Sequence, residues 1–301
     1  MDTSKIKSVK GGLIPTPVDE RDFSLGGLMG KMELPPLKDF VVTEPLMIKD
    51  QEEDGLDDGC TGYSLAAVSE DQEGVLLDPG FTFAMIKKTQ GTWQSWGGDL
   101  RSGCKMAQKI GFIEVGANPL DFGGKSRDFI ANWKNWPLDV LLPKAEFHKK
   151  ESYFNVLDSG YDTFDDIRAA LWNNKDQMQS VYTGCVWRQG WLFTKDGIIK
   201  PSEGGVGHAF KVAGQVIIKG VPYLVVVNSY GSDAGKGGLH FFSREIVNKE
   251  FTYGAYQFND MPRIVAEEEL KKKGLLVETL EDKQITNPFR SFWSYWKRFI
   301  A

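Results

Sequence analysis

Residues 204–238 read GGVGHAFKVAGQVIIKGVPYLVVVNSYGSDAGKGG, and the fold turns on this stretch. HAFKVAGQVIIKG at 208–220 and PYLVVVNSY at 222–230 are rich in β-branched and aromatic residues, with a glycine turn between them. That composition, bounded by glycine clusters, predicts neighbouring strands. Outward from there, SVYTGCVW at 180–187 precedes them, and GGLHFFS and YGAYQF follow. The second half is therefore read as a run of strands.

The first half has a different character. DGCTGYSLAA at 58–67 continues into a proline-free, Ala/Leu/Val-rich segment that suits a buried helix starting at Cys60, with Asp57 or Asp58 as its cap. FTFAMIKKTQ at 81–90, LRSGCKMAQKIG at 100–111 and TFDDIRAALWNN at 163–174 fit further helices, the last with Thr163 and Asp166 as a capping box. KDFVVTEPLMIK at 38–49 is read as a short strand or extended entry. Helices first and strands second predict an α+β fold of two segregated halves, with a cleft between them as the place for a site.

Composition narrows the function. The chain has 301 residues, 41% hydrophobic and 26% charged, with a net charge of −5. A soluble globular protein is expected, and the basic footprint of a nucleic-acid binder is missing. No run approaches eighteen apolar residues, so no membrane-spanning helix is expected, and no apolar h-region follows the N-terminus, so no signal peptide is read. The location expected is cytoplasmic or within an assembly. Cys60, Cys104 and Cys185 are too few and too far apart for a zinc site or a disulfide scaffold. No cofactor or metal is expected.

Three segments carry the chemistry: 58–67 around Cys60, 204–214 around His208, and 223–238 around Asn228. Together they resemble the papain family of cysteine peptidases over about residues 36–258. In that family a nucleophilic cysteine opens a long helix, a histidine begins a strand in an HA-apolar-x-x-x-G context, and an asparagine follows in N-S-W-G before a glycine-rich turn. Here these are Cys60, His208-Ala209 with Gly214, and Asn228-Ser229-Tyr230-Gly231 followed by Gly235, Gly237 and Gly238. The resemblance implies a two-lobe fold, helical over about 50–175 and β over about 178–258.

It also implies roles. A cysteine at a helix N-terminus feels the positive end of the dipole, and a histidine within reach takes its proton. The asparagine orients the imidazole without adding a charge. The same resemblance makes Cys60 the nucleophile of an endopeptidase, His208 its base and acid, Asn228 the orienting group, and Gly97, Gly98 and Tyr230 lining of the substrate cleft. The family's oxyanion glutamine lies six residues before the cysteine. Here position 54 is Asp, and Gln51 is nine residues before Cys60, so a three-residue insertion in 52–58 is needed to align them.

The chain departs from the pattern elsewhere. Thr61 and Tyr230 stand where the family has tryptophans, Asp57 replaces a disulfide cysteine, and no full prosegment fits in the residues before Cys60. These departures keep a second reading open, a weak or inactive papain-like domain serving in a larger assembly such as a phage virion. Transfer instead of hydrolysis is a third.

The remaining features have plainer expectations. The acidic run QEEDGLDDG at 51–59 reads as a solvated loop, since its spacing fails the EF-hand pattern. His148 reads as a surface residue and His240 as a strand residue facing outward. Residues 1–35, rich in Gly and Pro, read as an extended arm. In the C-terminal extension, 259–301, Phe289, Phe292, Trp293, Trp296, Phe299 and Ile300 form one helical stripe, which packs onto the domain, docks a protein partner or lies at a membrane interface.

Overall fold

The computed structural model describes residues 10–16, 22, 24, 25, 27, 32–92, 95–117, 132–157 and 160–260. The C-terminal aromatic stripe lies outside the described residues.

The predicted strands form. β1 (Phe40–Val41) is short, and β2 (Lys150–Asn155), β3 (Val181–Trp187), β4 (Val206–Ile218), β5 (Val221–Val227), β6 (Leu239–Phe242) and β7 (Ala255–Asp260) join it in one antiparallel sheet. The order is β2-β7-β3-β4-β5-β6, with β1 on β4. The helices are α1 (Cys60–Glu73), α2 (Pro79–Gln90), α3 (Leu100–Lys109), α4 (Leu138–Ala145), α5 (Thr163–Asn173) and α6 (Arg244–Glu250). The segregation of helices and strands is therefore incomplete: β2 lies in sequence between α4 and α5, and α6 between β6 and β7.

Two helix starts differ from expectation. α1 is preceded by Gly59 and has no side-chain cap. Asp57 and Asp58 are engaged elsewhere, Asp57 with Lys10 and Asp58 with the Gly97 N–H. α5 is capped by Asp162, whose carboxylate accepts from the Asp165 N–H, one residue earlier than the predicted box.

Of three hydrophobic clusters among the described residues, the two larger lie on opposite faces of the sheet. One gathers Cys60, Leu65, Phe83 and Met85 with Ala209 of β4 and Tyr182 of β3. The other gathers Phe164, Trp187, Phe210 and Phe242 with α5 and α6. Successive residues of a strand face opposite ways. On β4, Ala209 therefore joins the α1 side, while the His208 ring lies against Trp187 and Phe210 of the other core.

α1 is fastened by two buried ion pairs on consecutive residues, one of them to a strand. Glu70 meets Lys49 at 2.6 Å, and Asp71 meets Lys211 of β4. Since β4 also carries His208, the second pair ties the helix that begins with Cys60 to the strand of the histidine.

Candidate active site

Cys60 is fully buried at the first turn of α1. Burial pushes its thiol up, while backbone N–H groups of Ala209, Gly12, Thr61 and Cys60 itself act the other way. In this state the sulfur is therefore a thiol. One of those donors comes from the N-terminal arm, since the Gly12 N–H reaches Sγ at 3.4 Å.

The arm runs along the groove as an added strand. Leu13 and Gly98 form a parallel bridge. The Gly98 N–H donates to the Gly12 carbonyl at 2.7 Å, the Ile14 N–H to the Gly98 carbonyl at 3.1 Å, and the Leu13 N–H to the Gly207 carbonyl at 3.0 Å. The Leu13 side chain is buried in the α1-side core. The approach is backbone to backbone, so glycine is required. A Cβ on Gly12 would sit 2.0 Å from the Asp58 carbonyl oxygen, and one on Gly97, where φ is +72°, 1.8 Å from the Gly12 carbonyl oxygen. The GG at 11–12 and the pair Gly97-Gly98 are two halves of one contact. Sequence alone offered only an extended arm, because backbone pairing leaves no side-chain periodicity to read.

Gln51 lies at the same point. Its Nε2 donates to the Asp57 carbonyl at 2.8 Å and to the Lys10 carbonyl at 3.4 Å, and its Oε1 accepts from the Ser229 hydroxyl at 2.7 Å. The Tyr230 hydroxyl donates to the same Lys10 carbonyl at 2.8 Å. Two donors thus converge on one peptide carbonyl beside Cys60. The acidic run is not simply a solvated loop. Asp58 is buried against Gly97, Asp54 accepts from the Tyr63 hydroxyl at 2.5 Å, and Asp50 accepts the N–H groups of Glu52 and Glu53.

The histidine and asparagine are close to this cluster, yet their bonds differ from those the resemblance implies. The His208 ring is fully buried and stacks on Tyr230 at 4.3 Å. Its Nδ1 meets the Tyr230 hydroxyl at 3.0 Å, and its Nε2 is buried with no hydrogen-bond partner. No hydrogen bond joins it to Cys60. A buried polar nitrogen left this way costs about 1–3 kcal/mol. Asn228 does not orient His208 here. Its Nδ2 meets His240 Nδ1 at 2.7 Å, and its Oδ1 accepts the Tyr230 N–H at 2.7 Å.

His240 is the residue that sequence reading missed. It was expected to face outward, but it is fully buried, because β6 is covered on both faces and all four of its residues are inside. Its Nε2 meets the Trp191 carbonyl at 3.0 Å, and its ring lies 4.8 Å from Trp187. His148 is also not a free surface residue, since its Nδ1 lies 2.7 Å from Glu73.

Burial pushes both His208 and His240 down to about 3, His208 helped by the neighbouring His240 and His240 opposed by the Trp191 carbonyl. Both rings stay neutral in the fold, while an unfolded chain protonates them near 6.5. Stability contributed by keeping them neutral is thus complete above pH 6.5 and lost as the pH falls toward 3. Urea midpoints measured from pH 7 to 5 should drop, with about two protons taken up on unfolding near pH 5 from these groups. A flat profile would contradict the neutral assignment.

Solved structures share this architecture. Xylellain, a cysteine protease from Xylella fastidiosa, superposes with a TM-score of 0.65 at 20% identity, over 86% of this chain and 98% of that one. A proCathepsin B S9 from Trypanosoma congolense gives 0.54 at 17% identity, over 85% and 86%. Bromelain from Ananas comosus, in complex with the E64 inhibitor, gives 0.53 at 14% identity, over 75% and 100%. The fold is that of the papain-like cysteine proteases. No protein-family model matches the sequence, and no curated protein does. Residues 12–14 pass between Gly98, just before α3, and Gly207 of β4, with the Gly12 N–H on the Cys60 sulfur.

Among the described residues, no helix is long and apolar enough to cross a membrane, and no group of three or more His, Cys, Asp or Glu side chains could hold a metal ion.

Proposed function

We propose that the chain is a papain-like cysteine endopeptidase held at rest by its own N-terminal arm. Cys60 is its nucleophile, His208 its base and acid, and Gln51 an oxyanion donor, while Asn228 acts on His208 only through Tyr230, whose N–H it holds and whose ring stacks on the imidazole. One observation carries the reading: a peptide backbone runs past Cys60, pairs with Gly98 and Gly207, and offers a carbonyl to Gln51 and Tyr230. A groove that holds one extended peptide by its backbone fits peptide or protein substrates.

The catalytic state needs the arm out and the His208 ring turned. It needs no movement of β4, because Ala209, the next residue, already packs in one core with Cys60. The ring would take the thiol proton, the thiolate would attack the scissile carbonyl carbon, and the imidazolium would protonate the departing amine.

The test is alkylation by an epoxide thiol reagent. Gly12→Val introduces a side chain that the Asp58 carbonyl excludes, so the arm leaves. Cys60 should label much faster in Gly12→Val than in the parent chain, and peptide turnover should appear with it. Equal, slow labelling in both would sink the reading. In the Gly12→Val background, Gln51→Ala should lower kcat about 100- to 1,000-fold with KM little changed, as loss of an oxyanion donor does; unchanged kcat would remove Gln51 from that role.

A second reading has its own support. The thiol is pushed up, Asn228 is committed to His240, and no bond joins Cys60 to His208. A domain fixed in that state would bind peptides without cleaving them, as a component of an assembly, a virion among the candidates. Gly12→Val that labels slowly, cleaves nothing, and still binds extended peptides would favour it. The C-terminal aromatic segment is the proposed partner-docking element in either reading.

A further inference from the structure

We propose that Lys87 is a positioning residue for the peptide-pairing edge of the groove. Its ammonium grips the carbonyl end of the Gly97–Gly98 peptide unit, and so aims and strengthens the Gly98 N–H that bonds a peptide lying there. The inference rests on the reading of the groove as the peptide site.

Lys87 lies on α2 and is 2% exposed. Its ammonium donates to the Gly97 carbonyl and, at 3.0 Å, to the Ser95 hydroxyl. That hydroxyl spends its own hydrogen on the Thr92 carbonyl at 2.6 Å, so it accepts from Lys87. Both oxygens are neutral. Burial lowers Lys87 to about 8, with Asp99 opposing, so the ammonium persists at neutral pH. Asp99 itself accepts from the Gln90 amide at 2.7 Å and the Ser102 N–H at 2.8 Å. Burying a charge on neutral acceptors is costly. A helix residue that merely packs its stem in the core needs no charge at its tip, and a methionine would serve. The placement of the ammonium calls for a further reason.

The reason lies in what the carbonyl is attached to. The Gly97 C=O and the Gly98 N–H belong to one planar trans peptide unit and point opposite ways. Fixing the oxygen therefore fixes the direction of the hydrogen. A cation on the oxygen also polarises the unit, which makes its N–H a stronger donor. That N–H bonds the Gly12 carbonyl at 2.7 Å, shorter than the Ile14-to-Gly98 bond at 3.1 Å and the Leu13-to-Gly207 bond at 3.0 Å.

The preceding unit is held from the other side. The Gly97 N–H donates to the buried Asp58 carboxylate at 2.9 Å, two residues before Cys60. Both backbone groups of Gly97 are thus taken by opposite charges behind the edge, and both backbone groups of Gly98 face the arm. The edge that pairs with peptide is in this way referred to the helix of Lys87 and to the segment leading into the nucleophile.

The experiment uses the full chain carrying Gly12→Val and Cys60→Ala, with the groove cleared and no chemistry. The probe is an N-acetylated peptide of residues 8–16, SVKGGLIPT. Isothermal titration reads the Kd separately from the fraction of competent sites. Adding Lys87→Met should raise the Kd about three- to tenfold, the worth of one charge-assisted hydrogen bond, with the stoichiometry unchanged. In nitrogen-15 spectra of the chain with its own arm seated, the Gly98 amide proton should move upfield in Lys87→Met. In the Gly12→Val chain that keeps Cys60, Lys87→Met should raise KM by the same factor with kcat little changed. An unchanged Kd, an unmoved Gly98 amide, or a loss of sites at constant Kd would overturn the proposal, the last showing a purely structural residue. If Lys87→Met does not fold, Lys87→Gln, which drops the charge and keeps a polar end, decides by the same readouts. Failure of the peptidase reading looks different: the Kd weakens as described and no peptide is cleaved. A cleared chain that binds no peptide at all would end the groove reading and this proposal with it.

Discussion

Cys60→Ala in the arm-displaced Gly12→Val chain should remove all measurable peptide turnover, a fall of about a million-fold in kcat. The thiolate is the only group in the proposed scheme that forms a covalent bond with substrate, so no neighbour can take its place. The surrounding N–H groups of Gly12, Ala209, Thr61 and Cys60 would keep their geometry, and binding of an uncleaved peptide should persist. The comparison is steady-state cleavage of a peptide library by the Gly12→Val chain with and without the second change. Residual turnover within a hundred-fold of the parent would mean that Cys60 is not the nucleophile, whatever the fold implies.

The second large effect concerns stability. Asp71→Ala should lower the unfolding free energy by about 3–5 kcal/mol, because it leaves the Lys211 ammonium buried and uncompensated. Both side chains of the pair are almost inaccessible, at 2% and 1% exposed. What remains around Lys211 is the Ala67 carbonyl at 3.4 Å, a long contact for a cation, and the Glu70 carboxylate, which is already paired with Lys49. The double change Asp71→Ala with Lys211→Met removes both charges and should recover much of the loss. Denaturant midpoints of the parent, single and double variants measure this. A single variant within 1 kcal/mol of the parent would show that the pair is not buried as described. Because the pair links α1 to β4, Asp71→Ala should also loosen the relation between Cys60 and His208, so thiol alkylation should become less dependent on the arm.

Much of the architecture was legible because it rests on side-chain pattern. The β-branched runs at 208–220 and 222–230 became β4 and β5, and the proline-free segment at Cys60 became α1. The cysteine, the glycine pair at 97–98 and Gln51 were found as types in order along the chain, and the fold brings them to one groove. Gln51, nine residues before Cys60, is held by the Ser229 hydroxyl and the Asp57 carbonyl.

What was not legible depends on partners distant in sequence. His240 follows a strand rule that assumes one wet face, and β6 has none. Asn228 was expected on His208, yet it bonds His240, whose other ring nitrogen is held by the Trp191 carbonyl. The capping aspartates of α1 were drawn away by Lys10 and Gly97. The arm's place in the groove was invisible for a similar reason, because glycines at 11 and 12 advertise freedom, and here they serve proximity.

The direction of that arm has a consequence for the chain's own survival. At Cys60 the arm presents an amide hydrogen, not an electrophilic carbon, to the sulfur. A nucleophile facing a proton donor can only be solvated by it. The segment therefore occupies the groove as a ligand that the proposed reaction has no means to consume, and a protein stored in this state should keep its N-terminus intact until something else pulls it away.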